Sequence, residues 1–267
     1  MHTGVRRALR TIREQRAAQI AIGLAFYGRA RNCPCCGGNF RRFRAMSRPD
    51  RLCWRCGSAE RHRSVWLYLS KHPEMIFDGM RVLHVAPETS LQRLFRGRPV
   101  HYVGGDLETY FGPDQIDVTD LHQFKNGSFD AVICNHVLEH VPDDRTALRE
   151  IRRVLAPGGW GLLLVPDVFH PTTDEDLSIT DPKVRHARYG QYDHVRRYGW
   201  DYVDRLRAAG LTVKVENAAE LFDERTIERC HLRKLGELEP LFFVTPQQPD
   251  QSDPEDHLRA GAPISSR

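Results

Sequence analysis

Apolar residues in this chain follow two rhythms. Short runs rich in β-branched and aromatic residues alternate with stretches whose apolar positions fall three and four apart. The clearest instance is Ser128 to Pro166. Phe129 to Cys134 is an apolar run of strand length. Pro142-Asp143-Asp144 then places acids where a helix N-terminus favours negative charge. Ala147, Leu148, Ile151, Val154 and Leu155 recur at helical spacing. Pro157-Gly158-Gly159 predicts a stop and a turn, and Leu162 to Val165 a buried parallel strand. The unit is strand, helix, strand.

The same rhythms continue on both sides. Met80 to Ala86 reads as the first core strand and His101 to Gly105 as the second. Leu211 to Val215 and Leu241 to Val244 read as the last two. Helices are expected after Cys56 through GSAERHRSVWLYLSKH, over Thr89 to Phe95, and over Trp200 to Ala209 with Gly210 ending it. The alternation predicts an α/β fold with a doubly wound, Rossmann-like sheet. Asp167 to Tyr198 follows neither rhythm and is rich in polar rings. A long polar segment after the fifth strand lies over the carboxyl ends of the strands, where ligands bind in such sheets. Residues 167–198 are therefore expected to form a substrate lid. His170, Tyr189, Gln191, Asp193, His194 and Arg196 are its candidate contacts, with Asp193 and His194 as an orienting pair.

The ordered set FDAVICNHVLEHV, a helix, then LAPGGWGLLLVP resembles the class I S-adenosylmethionine-dependent methyltransferases. It is most similar to their type 11 branch, over roughly Met80 to Val244. The resemblance implies a mostly parallel sheet with the last strand antiparallel, and S-adenosylmethionine as methyl donor. It assigns Asp106, at the end of the second strand, to the ribose hydroxyls. Asp117, with Val118 beside it, falls to adenine, and Asn135 ends the fourth strand in the cofactor region. One stretch departs from the family's V-L-D-x-G-x-G-x-G. The acid is His84, and Ala86, Glu88 and Ser90 replace the glycines that let backbone approach a cofactor closely. Glu88 either receives the methionine ammonium or caps the following helix. His136-Val-Leu-Glu139-His140 resembles the E-x-x-E-H of ubiquinone-pathway O-methyltransferases, with His136 replacing the first Glu. His140, His136 and His194 are the candidate bases for removing a hydroxyl proton.

Cysteine and charge add a second part. The spacing C-x2-C-x16-C-x2-C places Cys33, Cys36, Cys53 and Cys56 as a tetrahedral structural zinc set, with Gly37 and Gly57 easing each turn. Cys35 could replace Cys33 or Cys36, or be a free thiol. Thiolate ligation points to a reducing, cytoplasmic setting. Residues 1–63 carry 15 Arg and three acids, a net +12, whereas the remainder carries 24 basic and 32 acidic residues, a net −8. The Arg-rich quarter suits RNA, an anionic lipid or glycan, or the chain's own acidic part. Phe40 and Phe43 lie among its arginines, either as stacking platforms or packed beneath a hairpin. No apolar run approaches the ~20 residues that span a bilayer.

The organisation expected is a basic N-terminal helix over 1–31, a zinc-ribbon-like segment over 32–63, a methyltransferase domain over 64–246, and a disordered tail over 247–267. A small-molecule or glycan hydroxyl is the first expected acceptor and structured RNA the second. The competing class is a non-catalytic adaptor, motivated by the degenerate glycine loop.

Overall fold

The computed structural model describes residues 21, 23–108 and 114–247. Most of the expected basic helix and the expected tail lie outside these residues. Tyr27 to Arg31, placed at the end of that helix, instead belong to a strand.

Two small hairpins come first. Strand β1 (Tyr27–Cys33) pairs antiparallel with β2 (Gly38–Phe40), and β3 (Arg44–Met46) with β4 (Arg48–Leu52). Phe40 and Phe43 are buried here with Cys33, Cys35 and Cys53, so the rings pack underneath and present no stacking face to solvent. Helix α1 (Glu60–Lys71) follows. Its Val65 and Leu69 join the main core, and Trp66 packs against both that core and the cysteine cluster.

The remaining strands build one seven-stranded sheet. In chain order they are β5 (Arg81–Val85), β6 (His101–Asp106), β7 (Asp114–Gln115), β8 (Phe129–Asn135), β9 (Leu155–Leu164), β12 (Leu211–Glu216) and β13 (Leu241–Pro246). Their spatial order is β12-β13-β9-β8-β5-β6-β7. Strands β5 to β9 pair in parallel, whereas β13 runs antiparallel to both its neighbours. This is the doubly wound α/β sheet expected, with the final strand reversed. The order turns back between β5 and β8, so a crevice opens at their carboxyl ends.

Some local readings change. Helix α2 is only Thr89–Gln92, shorter than the span to Phe95. Helix α3 (Asp144–Val154) starts where Asp143 accepts from the Thr146 amide at 3.0 Å. It passes directly into β9. Pro157-Gly158-Gly159 lies inside that strand at a register shift, with Gly158 at φ 77°, and so makes a bulge where a turn was expected. The lid segment is not irregular throughout. It holds β10 (Asp174–Glu175) paired with β11 (Arg196–Arg197), and helix α4 (Pro182–Tyr189) between them. Helix α5 (Tyr202–Ala208) begins two residues after Trp200, and Gly210 turns the chain at φ 78°. Two short helices, α6 (Ala218–Leu221) and α7 (Glu224–Cys230), precede β13. Among the described residues no helix is long and apolar enough to cross a membrane.

Candidate active site

Three strand tips surrounding the crevice end in left-handed backbone at residues other than glycine. Ala86 after β5 has φ 47°, His136 after β8 has φ 54°, and Asp167 after β9 has φ 56°. Such conformations cost free energy and persist where surrounding structure holds them. The Ala86 amide donates to the Gly105 carbonyl at 2.8 Å, and the His136 amide to the Leu164 carbonyl at 2.8 Å. The turn after β5 therefore keeps a left-handed bend even though its glycines are gone. Gly105 is needed for another reason: a Cβ there would lie 1.9 Å from the Asp114 carbonyl oxygen, so only glycine lets β7 approach β6.

Asp106 sits at the end of β6 and Asn135 at the end of β8, both buried. The Asn135 amide has neither a donor nor an acceptor partner among the described residues. A buried carboxamide without partners is unfavourable by itself and points to a polar ligand at the tip of β8. Asp117 already accepts from the Thr119 amide at 2.8 Å and its hydroxyl at 2.7 Å through one oxygen. Its other oxygen is not used in that turn. Val118 beside it is buried.

Glu88 behaves differently from either expectation. Its backbone carbonyl starts α2, accepting from Leu91 and Gln92, but its side chain makes no cap. The carboxylate turns inward between two imidazoles. His84 Nε2 lies 3.0 Å from one oxygen and His62 Nε2 3.3 Å from the other. The Ala59 amide donates to His62 Nδ1 at 3.0 Å, which leaves the ring proton on Nε2. The Tyr102 hydroxyl lies 2.9 Å from His84 Nδ1. Burial opposes charge on Glu88, but the two imidazoles outweigh it and hold its carboxyl well below the ordinary range. Burial holds His62 down to about 4. The Glu88 carboxylate thus lies against two imidazoles, hydrogen-bonded to His84 and 3.3 Å from His62. His84 is fully buried.

The one-turn helix Leu138–His140 carries the remaining groups. His136 Nδ1 lies 3.4 Å from Glu139 Oε1. Burial pushes the Glu139 carboxyl up to about 8 and holds His136 well below an ordinary histidine. His140 Nδ1 lies 3.2 Å from Asp193 Oδ2, and the His140 and His194 rings meet edge to face at 4.7 Å. The orienting carboxylate is thus paired with His140, not with His194 as expected. His194 Nδ1 instead lies 3.2 Å from the Tyr189 carbonyl. Burial lowers His140 and Asp193 partly restores it, so the ring is neutral near pH 7. The Val195 amide donates to the Glu139 carbonyl at 2.9 Å and ties lid to turn.

Arg196 was expected to touch the acceptor and does not. It is fully buried, bonded to the carbonyls of Leu138, Val141 and Pro142 and paired with Glu175 at 2.6 Å. It fixes the shape of the turn that carries His140. Tyr189 is also buried, whereas His170 and Gln191 are exposed.

Two residue sets have donor spacing that suits a cation. One donor atom each from Glu139, His140 and His194 lie within 4.8 Å of one another. The sulfurs of Cys33, Cys36, Cys53 and Cys56 do likewise. Cys33 and Cys56 sulfurs are 3.5 Å apart, and those of Cys36 and Cys53 3.6 Å. A tetrahedral zinc with bonds near 2.3 Å needs sulfurs about 3.8 Å apart. Gly37 at φ 70° and Gly57 at φ 72° close the two matching turns, their amides donating to the Cys33 and Cys53 carbonyls. Cys35 points elsewhere, its thiol 3.6 Å from the His62 carbonyl.

Sequence reasoning missed His62 and Tyr102, because nothing local links a helix residue and a strand residue to Glu88. It also missed the His140–Asp193 pair, although both residues had been singled out.

Residues 90–163 match the methyltransferase domain family, a stretch that begins just beyond the Ala86–Glu88 turn. A ubiquinone biosynthesis O-methyltransferase from Xanthomonas oryzae is 52% identical over 42 residues, 16% of this chain and 18% of that protein. An uncharacterized 37.1 kDa protein in transposon Tn4556 of Streptomyces fradiae is 37% identical over 76 residues, 27% of this chain and 22% of its own. The chain spans about a fifth of the length of the curated relatives it matches. A SAM-dependent methyltransferase structure from Archaeoglobus fulgidus aligns with 70% of this chain and 93% of its own, at 14% identity and a TM-score of 0.45.

Proposed function

We propose that this chain is an S-adenosylmethionine-dependent methyltransferase that acts on a hydroxyl of a small molecule or glycan. The observation that carries the reading is the crevice at the β5–β8 reversal, with the buried, unpartnered Asn135 amide at one tip and Asp106 at the next. Asp106 accepts from the ribose hydroxyls, and the unused oxygen of Asp117 meets the adenine amino group beside Val118. Asn135 completes its hydrogen bonds on the bound cofactor. Ala86 gives the left-handed bend that lets backbone come near it. Glu88 and His84 support the floor from behind.

The donor's sulfonium brings an already activated methyl group. The protein's task is then alignment and one proton transfer. His140 Nε2 takes the acceptor's hydroxyl proton as its oxygen bonds to the methyl carbon and the carbon–sulfur bond breaks to a neutral thioether. Asp193, on Nδ1, orients the ring and stabilises the imidazolium. His136 and His194 line the same turn and shape access to it. Zinc on the four cysteines closes the hairpins and, with no open position, takes no part in the transfer. Thiolate ligation favours a reducing, cytoplasmic setting.

Calorimetry with S-adenosylhomocysteine tests the reading. Wild type should bind it, and Asp106→Ala should weaken it by about tenfold or more, for one lost pair of charge-assisted hydrogen bonds. A wild-type protein that gives no binding heat would remove the proposal. A second reading, an RNA acceptor, is favoured by the exposed Arg41, Arg42 and Arg44 of the first hairpins. RNA affinity should then fall steeply with salt.

A further inference from the structure

The turn that lacks its glycines is supported from outside the sheet. His84 and Glu88, the residues that stand there instead, meet each other, with His84 Nε2 3.0 Å from Glu88 Oε2. The other carboxylate oxygen has His62 Nε2 at 3.3 Å. His62 belongs to α1, the helix that follows the cysteine-bearing hairpins.

The cysteine cluster sets the first turn of that helix. The Cys53 amide donates to the Ser58 carbonyl at 2.9 Å, and Ser58 Oγ lies 3.1 Å from Cys33 Sγ. Arg63 donates to the Ser58 and Arg51 carbonyls at 2.6 and 3.1 Å. The next residue, Ala59, gives its amide to His62 Nδ1 at 3.0 Å. The Cys35 thiol reaches the His62 carbonyl at 3.6 Å. These contacts depend on how the hairpins close, and a metal on four thiolates closes them.

Where Glu88 points matters to a ligand. Its turn leaves the carboxyl end of β5, one of the two strands flanking the reversal where ligands bind in such sheets. A glycine there would leave room for close approach; a glutamate leaves it only while its side chain is held back. The Glu88 side chain is 15% exposed, and a carboxylate so far buried needs partners for its charge. With His62 in place, each oxygen has an imidazole beside it. Without His62 one oxygen loses its neighbour, and the open crevice becomes the better surrounding for the charge.

We propose that His62 is a positioning residue of the cofactor site: set in place by the zinc hairpins, it holds the Glu88 carboxylate out of the crevice, so that zinc occupancy strengthens cofactor binding. This rests on the methyl-transfer reading above. His62 acts through Glu88 and touches no ligand itself.

The test is a double-mutant cycle on the full chain, read as S-adenosylhomocysteine affinity by calorimetry. In zinc-loaded protein His62→Ala should weaken binding by about tenfold or more, the size expected when a charged group loses a partner. In a Glu88→Ala background the same change should cost less than about twofold, because no carboxylate is left to restrain. His62→Gln keeps a side-chain N–H donor and should recover most of the affinity. Removing zinc with a chelator should weaken binding by wild type and have little effect on Glu88→Ala. If the stripped chain unfolds, the loaded variants decide alone. Zinc content reports whether the hairpins are intact in each variant, so a loss confined to cofactor affinity is not a folding defect. The proposal is overturned if His62→Ala binds as tightly as wild type, if it loses equally in both backgrounds, or if zinc removal from a folded chain weakens both backgrounds equally. A zinc-loaded wild type with no binding heat removes the methyl-transfer reading and this proposal with it. A wild type that binds, with no coupling between His62 and Glu88, removes this proposal alone.

Discussion

His140 owes its assigned role to three neighbours. Arg196 fixes the carbonyls of its turn, Asp193 holds Nδ1, and His194 packs edge-on against its ring. Replacing it with Gln should lower kcat by about 10²- to 10⁴-fold, the range for losing a general base, with little change in KM. Because burial lowers its pKa, the acid limb of the kcat/KM profile should lie below pH 6.5. Asp193→Asn removes a charge that raises that pKa, so the limb should move to still lower pH. A limb that stays in place would show that His140 is not the titrating base. His62 gives a stability prediction. Its folded pKa, about 4, is depressed below the unfolded value of 6.5, so the unfolded chain binds more protons between the two. The neutral ring's contribution is present above pH ~6.5 and is lost as pH falls toward ~4, by up to about 3 kcal/mol. Denaturant unfolding of wild type and His62→Asn across that window should show the gap narrowing as pH drops. Parallel curves would contradict the caged-carboxylate account.

The elements differ in how plainly the sequence announces them. Strands β5, β8 and β9 are continuous apolar runs and could be read directly. Helix α4 could not: Val184, one of its few apolar side chains, is half exposed, and the helix is set by the Asp181 side chain accepting from the Lys183 and Val184 amides. Pro157-Gly158-Gly159 looked like a turn because its glycines and proline permit one, but pairing with β8 carries the strand through it as a bulge. Arg196 reads as a substrate contact of the lid because charge ordinarily means exposure, whereas here Glu175 and three carbonyls make burial favourable. The cysteine turns were legible from spacing, yet the role of Cys35 needed the geometry of the His62 carbonyl. Metal analysis can check that division. Cys53→Ser should lose zinc and Cys35→Ser should keep it at one ion per chain. Zinc retained in the first variant, or lost in the second, would reject this ligand set.

In the whole molecule, α1 ties the hairpins to the sheet, with Trp66 packed against both the cysteine cluster and the main core. Glu88 joins β5 to α1 through His84 and His62, and Arg63 reaches from α1 to the Cys230 and His231 carbonyls at the end of α7. The sheet and its reversal point were foreseeable from alternating patterns, because the order of strands and helices in the chain dictates much of the topology. The packing of the hairpins onto that sheet was not, because it depends on side chains far apart in sequence. That packing holds the turn after β5: the carboxylate that replaces one of its glycines is drawn back toward two imidazoles. A crystal structure with S-adenosylhomocysteine tests this most directly. The ribose should lie within hydrogen-bond distance of Asp106, the Asn135 amide should bond the ligand, and Glu88 should remain between His62 and His84. A ligand bound elsewhere, or a Glu88 side chain swung into the crevice, would contradict the account.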